Sequence, residues 1–201
     1  MTNNPAVKLQ VIRDSGGKAV SREPDDWIRS VELELIEADR VIGTAELYVF
    51  NADGADTAGE SIHEMCDAHS QTTYDCGVAV YNMMSSVNEF RRAVRRNFDI
   101  GLWDSLNVLL LSRIEIEPPY RGRGSGLTVL SRMIKRWGKG CTLAVMKPYP
   151  LQYCGKNADP TPEFKNAYRK LVRYYAPLGF TKIPYRNGSL EHGGGHYGLR
   201  L

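Results

Sequence analysis

The sequence predicts an α+β chain built around one mixed sheet. Three observations carry that expectation. Alternating apolar and polar residues dominate the first 50 positions, and segments with apolar residues every three or four positions follow. One strongly apolar stretch, Leu106 to Ile116, sits between helical segments and reads as an interior strand buried on both faces. The order is therefore strands, helices, strand, helix, strand, helix, strands.

Val7 to Ile12 is a short extended segment, broken by Ser15-Gly16-Gly17 and the turn at Pro24-Asp25-Asp26. Trp27 to Glu37 alternates, with Ile28, Val31, Leu33 and Leu35 set against Arg29, Glu32 and Glu34. Glu37 to Arg40 reads as a hairpin loop, Val41 to Phe50 as its return strand, and Asn51 to Gly54 as its end. Residues 58–70 and 78–98 read as helices. In the second, Val80, Met83, Met84, Val87, Phe90, Val94 and Phe98 make one apolar stripe. Pro118-Pro119 stops the interior strand, and a Gly-rich turn opens a helix carrying Leu127, Leu130, Met133, Ile134 and Trp137 on one face. Cys141 to Met146 is a short buried strand. Glu163 to Ala176 is an amphipathic helix ended at Gly179, and Thr181–Pro184 with His196–Leu201 form a last hairpin.

Composition excludes several classes. With 201 residues, 42% hydrophobic and 24% charged, the chain can bury a core without staples, and a single domain over 1–201 is expected. No apolar run approaches the roughly 20 residues of a membrane span, so no membrane partner is expected. The first residues lack the basic-then-apolar pattern of a signal peptide, and four cysteines in this length make no disulfide framework. A reducing cytoplasm is the expected compartment. A net charge of +3 suits an anionic ligand and is too weak to imply nucleic acid by itself.

The informative segment is SRIEIEPPYRGRGSGLTVL, residues 112–130, in which an apolar strand feeds a loop of glycines and a helix starts at once. Converging backbone N–H groups and the positive end of a helix dipole suit an anionic phosphate. Arg121 and Arg123 add charge and Ser125 adds a hydroxyl. The segment lacks the Gly-Lys-Ser/Thr of a P-loop, and Gly122, Gly124 and Gly126 do not have dinucleotide-fingerprint spacing. It does satisfy Arg-x-x-Gly-x-Gly with Arg121, Gly124 and Gly126, and Tyr174-Tyr175-Ala176-Pro177-Leu178-Gly179-Phe180 follows on a later helix.

These two motifs resemble those of the GNAT N-acetyltransferase superfamily, over residues 106–201. Lys147 to Gln152 is similar to a segment of uncharacterised bacterial members. The resemblance implies a single mixed, mostly antiparallel twisted sheet flanked by helices and splayed at its central strands. Residues 1–105 would form a variable N-terminal half and 106–201 the acyl-CoA-binding half. One departure stands out: the helical stretch follows a hairpin, whereas family members place two helices after the first strand.

The resemblance further implies an acyl-CoA-dependent N-acyltransferase, transferring acetyl from acetyl-CoA to a primary amine by direct attack in a ternary complex. No metal is expected. The backbone of Ile114, Glu115 and Ile116 would hold the pantetheine. The turn formed by Arg121, Gly122, Arg123, Gly124, Ser125, Gly126 and Leu127 would hold the pyrophosphate. Tyr175, five residues before Phe180, is the implied acid, and Tyr174 is expected to point elsewhere. Glu115 and Glu117 are the strand-borne candidates for the base. Glu115 has the wrong strand parity unless a local bulge re-aims it. His192 and His196 offer imidazoles in the terminal hairpin. The family's Asn, seven residues before the tyrosine, is replaced here by Tyr168, with Asn166 nine before.

Two alternatives stay open. One is a non-catalytic GNAT-like module acting through protein or RNA contacts. The other is an RNA-directed, aminoacyl-tRNA acetyltransferase, supported by Arg91, Arg92, Arg95 and Arg96 on one helix; nucleic acid is not the favoured partner. The spacing of His63, Cys66, His69 and Cys76 reads as adventitious rather than as a zinc site. A monomer and a homodimer are both compatible with the sequence.

Overall fold

The computed structural model describes residues 7–16, 23–153, 161–184 and 195–201. Three strands come first: β1 (Lys8–Asp14), β2 (Ile28–Glu37) and β3 (Arg40–Phe50). Four helices follow: α1 (Ala52–Thr57), α2 (Ile62–His69), α3 (Gln71–Val80) and α4 (Arg92–Asn97). Then come β4 (Val108–Ile116), α5 (Ser125–Trp137), β5 (Leu143–Met146), α6 (Pro162–Tyr175), β6 (Thr181–Lys182) and β7 (Tyr197–Arg200). The strands form one seven-stranded sheet in the order β1-β2-β3-β4-β5-β7-β6. Every pairing is antiparallel except that of β4 with β5. This is the mixed, mostly antiparallel sheet implied by the motifs.

The alternation in β2 and β3 sorts side chains between two cores. Val31, Leu33, Leu35 and Leu47 are buried on the face covered by α5, which contributes Val129, Leu130, Met133 and Trp137. Ile28 and Phe50 are buried on the other face, under Met65, Cys66, Val80 and Val94 of the α1–α4 layer. Strand β4 runs between the two. Leu109 and Leu111 belong to the α5 side, and Val108 and Leu110 to the other. Its apolar run is thus the signature of a strand covered on both faces.

The hairpin between β2 and β3 turns on Ala38 and Asp39, both with positive φ (48° and 60°). That geometry matches the right-handed twist of the flanking strands.

The helical region departs from the sequence expectation. Of residues 58–70 only Ile62–His69 is helical, as α2, and a separate helix, α1, precedes them at Ala52–Thr57, where the sequence suggested a turn. The stretch 78–98 is not one helix. α3 ends at Val80, and Tyr81 forms an antiparallel bridge with Phe90, enclosing a turn from Asn82 to Glu89. Asn82 closes that turn through its backbone N–H to Glu89 O (3.0 Å) and its side-chain amide to the Glu89 carboxylate (2.9 Å). Met84 and Val87, counted in the apolar stripe, are 95% and 64% exposed. Short polar residues that bond their own backbone outcompete the helix here. The helices still lie after β3, not after β1, as the sequence indicated.

Strand β3 also sets how closely β4 can approach. Gly43 sits opposite Ile116, and a Cβ there would lie 2.0 Å from the Glu115 carbonyl oxygen, a backbone atom with no soft way to move. Gly43→Ala is therefore expected to force the end of β4 away from β3 and to destabilise the fold by about 2 kcal/mol. Chemical denaturation of the variant checks this, and an unchanged midpoint would show that the contact is relaxed in solution.

Candidate functional site

Strands β4 and β5 pair in parallel for four positions, from Val108–Leu143 to Leu111–Met146. Beyond Met146 the chain reads Lys147-Pro148-Tyr149-Pro150, and two prolines without N–H groups cannot continue a ladder. Strand β4 runs on to Ile116, paired only with β3. A cleft of about 900 Å³ opens between the free edge of β4 and the segment after β5. Its walls are Ile114, Glu115 and Ile116 of β4, Arg121, Gly122, Ser125 and Gly126 of the turn, Tyr149 to Gln152, and Ala167, Lys170, Leu171, Tyr174 and Tyr175 of α6. A smaller space at the apex shares Ile114, Tyr149, Leu151 and Tyr175 with it and adds Ser112, Leu130 and Met146.

The turn is shaped by Gly122 and Gly124, with φ of 78° and 80°, a conformation that side-chain-bearing residues rarely adopt. Gly124 caps α5, whose first-turn amides face the cleft region with the positive end of the helix dipole. Ser125 is 2% exposed, and its hydroxyl has no protein partner although it borders the cleft. A buried hydroxyl left without a partner is costly, which marks a place for a ligand acceptor. Gly126 lets Tyr174 approach the turn: a Cβ there would lie 2.8 Å from the Tyr174 hydroxyl. Arg121 braces the turn through Nε to Ile116 O (2.6 Å) and still lines the cleft. Arg123 folds back onto Pro119 O (3.1 Å) and the Tyr120 ring.

Tyr174 and Tyr175 are adjacent but reach different ends of the cleft. Tyr175 borders both the cleft and its apex, and burial, with Tyr174 close by, pushes its phenol up to about 12. It therefore keeps its proton at neutral pH. The Tyr174 hydroxyl accepts the Leu127 N–H at 3.2 Å, so a phenol oxygen stands at the α5 amide where the motif places a phosphate.

On the opposite face of the sheet, β4 carries a bulge. Leu47 pairs with Leu111 but Glu46 pairs with Arg113, so Ser112 is the extra residue. The bulge turns Glu115 to the face of Ser112, the re-aiming that its parity required, and one Glu115 oxygen is held by Arg113. Glu117 is exposed just past the strand. The bulge also brings together residues that the sequence reading missed. Glu46 accepts hydrogen bonds from Tyr48 Oη (2.6 Å) and Ser112 Oγ (3.0 Å). His69 lies edge-on to the Tyr48 ring at 5.1 Å, with Nε2 3.0 Å from Ser30 Oγ. Burial lowers the His69 imidazole below its ordinary value.

His192 lies outside the described residues. His196 stays neutral until the pH falls toward about 4, because it is buried and has Lys147 nearby. Lys147 in turn pairs with Asp75 at 3.6 Å. Tyr168, at the place of the family's Asn, bonds Tyr197 Oη at 3.3 Å. Of the four arginines, Arg91 is turned inward to Ala79 O. Arg92, Arg95 and Arg96 line a separate space of about 680 Å³ with Glu89 and Asp99. His63 packs edge-on to Tyr74, Cys66 and Cys76 are buried free thiols, and no metal-holding group of three or more His, Cys, Asp or Glu occurs among the described residues. No described helix is long and apolar enough to cross a membrane.

No protein-family model and no curated protein sequence matches the chain. Solved structures do. An agmatine N-acetyltransferase mutant in its apo form is 12% identical, with TM-score 0.42, over 85% of this chain and 76% of its own. AtaTR bound with AcCoA is 10% identical, with TM-score 0.43, over 96% and 92%. A Drosophila melanogaster polyamine N-acetyltransferase, which catalyses the formation of N-acetylagmatine, is 12% identical, with TM-score 0.39, over 85% and 74%. The functional reading rests on the cleft, not on these likenesses.

The Leu127 N–H is shared between Gly124 O (3.1 Å) and the Tyr174 hydroxyl, so removing the hydroxyl clears the phosphate position and leaves the amide held by Gly124 O alone. Tyr174→Phe is then expected to bind acetyl-CoA about threefold or more tighter, roughly the worth of one neutral hydrogen bond. Calorimetric titration measures it; weaker binding would make the hydroxyl a cofactor contact instead.

Proposed function

We propose that this chain is an acyl-CoA-dependent N-acyltransferase of the GNAT type, moving acetyl from acetyl-CoA to a primary amine by direct attack in a ternary complex. One observation carries the reading. The amide-lined start of α5, the free edge of β4 and a protonated tyrosine border one cleft, in the order in which acyl-CoA presents pyrophosphate, pantetheine and thioester.

Each wall has a task. On its side away from β3, β4 runs on past the last β5 partner at Leu111 and offers an edge on which the amides of pantetheine can pair as another strand would. The Ser125 hydroxyl and the turn amides supply donors to the pyrophosphate. The thioester carbonyl takes on negative charge as the amine adds, and a backbone N–H near the apex stabilises it without reorganising. Tyr175, uncharged and at the apex, gives its proton to the departing sulfur. The apolar side chains of Leu111, Leu130 and Met146 around it keep bulk water away from the leaving group.

Calorimetry with acetyl-CoA is the first test. Micromolar binding is expected, and Gly124→Glu, which places a bulky anion in the phosphate turn and strains its positive φ, is expected to abolish it. No binding by the unaltered chain would favour the non-catalytic module. Tyr175→Phe is expected to lower kcat by about tenfold or more while leaving acetyl-CoA affinity within about twofold. An unchanged kcat and pH profile would return Tyr175 to a packing role.

A further inference from the structure

The polar group around Glu46 is used neither by the cores nor by the cleft. Glu46 projects from β3 on the helix-covered face, beside Tyr48 and opposite Arg113. Both carboxylate oxygens are fixed, Oε1 by Tyr48 Oη and Oε2 by Ser112 Oγ. Ser112 is the residue that the bulge extrudes, and it lines the apex space together with Tyr175. Glu46 thus stands one hydroxyl away from the apex, on the β3 side, while Tyr175 reaches it from α6.

We propose that Glu46 is the base that removes the proton from the acceptor ammonium; the assignment rests on the transferase reading above. An acceptor amine is protonated at neutral pH and has no lone pair for attack until a proton leaves. Each Glu46 oxygen accepts a hydrogen bond, from Tyr48 or Ser112, and a carboxylate oxygen has a second acceptor site. The ammonium gives one proton to Glu46. The freed nitrogen forms a bond to the acyl carbon, and the carbon–sulfur bond breaks with its electron pair on sulfur. Tyr175 protonates that sulfur, the second nitrogen proton restores Tyr175, and Glu46 releases its proton to solvent.

The other carboxylate that the bulge turns to this face, Glu115, already has an oxygen engaged by Arg113, and it lines the main cleft rather than the apex. The charged and titratable groups facing Glu46 are Glu32 across on β2, Arg113 across on β4, Tyr48 on its own strand, and His69 from α2 against the Tyr48 ring.

The test compares two nucleophiles with acetyl-CoA as donor: ethanolamine, protonated at neutral pH, and hydroxylamine, largely unprotonated there. In Glu46→Gln, kcat/KM for ethanolamine is expected to fall by about 100-fold or more. For hydroxylamine it is expected to fall by less than about threefold, because no proton has to be removed before attack. The ethanolamine rate of the variant is expected to climb with pH as free amine accumulates. Calorimetry of the variant with acetyl-CoA and its thermal melt should match the unaltered chain. Glu34→Gln, on the same face but opposite Thr44, is expected to leave both rates unchanged. Equal losses with both nucleophiles, no loss with ethanolamine, or the same loss in Glu34→Gln would overturn the assignment while leaving the transferase reading intact. Failure of the unaltered chain to bind acetyl-CoA would instead overturn that reading, and this assignment with it.

Discussion

The organisation of this protein depends on the point where β4 and β5 stop pairing. They share a parallel ladder for four positions and then separate, because Pro148 and Pro150 cannot donate to it. A strand in the middle of a sheet is left with one free edge from Ser112 onward. Exposed backbone N–H and C=O groups inside a protein are costly unless something pairs with them. The edge is therefore either filled by water or by a ligand that can hydrogen-bond as a strand does. Everything around the cleft follows from it. The α5 turn begins where the free edge ends, and α6 closes the far wall.

The sheet also divides the work between its faces. The α5 face supplies the cleft floor with Ile114 and Ile116, whose side chains pack into that core. The face under α1–α4 supplies polar groups, because β2 and β3 place Ser30, Glu32, Glu46 and Tyr48 there by alternation. A regular β4 would keep the two sets apart. The bulge at Ser112 lets one residue serve both, bonding Glu46 while bordering the apex. Bulges re-aim side chains at the cost of a ladder bond, and they concentrate near functional sites for that reason.

How much of this was legible in the sequence follows the range of the interactions. The strands and the helices α5 and α6 were legible because period-2 and period-3.6 patterns are local, and so was the Gly turn, since φ > 0 needs only the residues themselves. The 78–98 stretch misled because Met84 and Val87 continued an apolar stripe into a turn, while Asn82, Ser85 and Asn88 were the competing signal. That Tyr175 borders the cleft follows from a motif local to one helix, whereas the seat of its neighbour Tyr174 on the Leu127 amide, 47 residues away in the chain, does not. Glu46 was illegible for the same reason: its partner Ser112 is 66 residues away, and the bulge joining them is a register shift that no single strand reveals.

The free edge and the bulge bear on each other. If β4 continued in regular register past Leu111, Ser112 would have its hydroxyl on the helix-covered face, and Glu115 would turn to the α5 side. The extra residue leaves Ser112 on that polar face and sends Glu115 there as well, while Ile114 and Ile116 move to the α5 side and form the apolar floor of the cleft. One inserted residue thus keeps an apolar wall on the α5 side and carboxylates on the other. At the far end of the pair, opposite Ile116, Gly43 has no Cβ, which lets the β3 backbone lie against the Glu115 carbonyl. The separation of an apolar cleft from a polar patch is then a property of the β3–β4 pair, set by Gly43, Glu46 and Ser112 together. The α1–α4 helices need only cover that pair, so their position after β3 is compatible with the cleft.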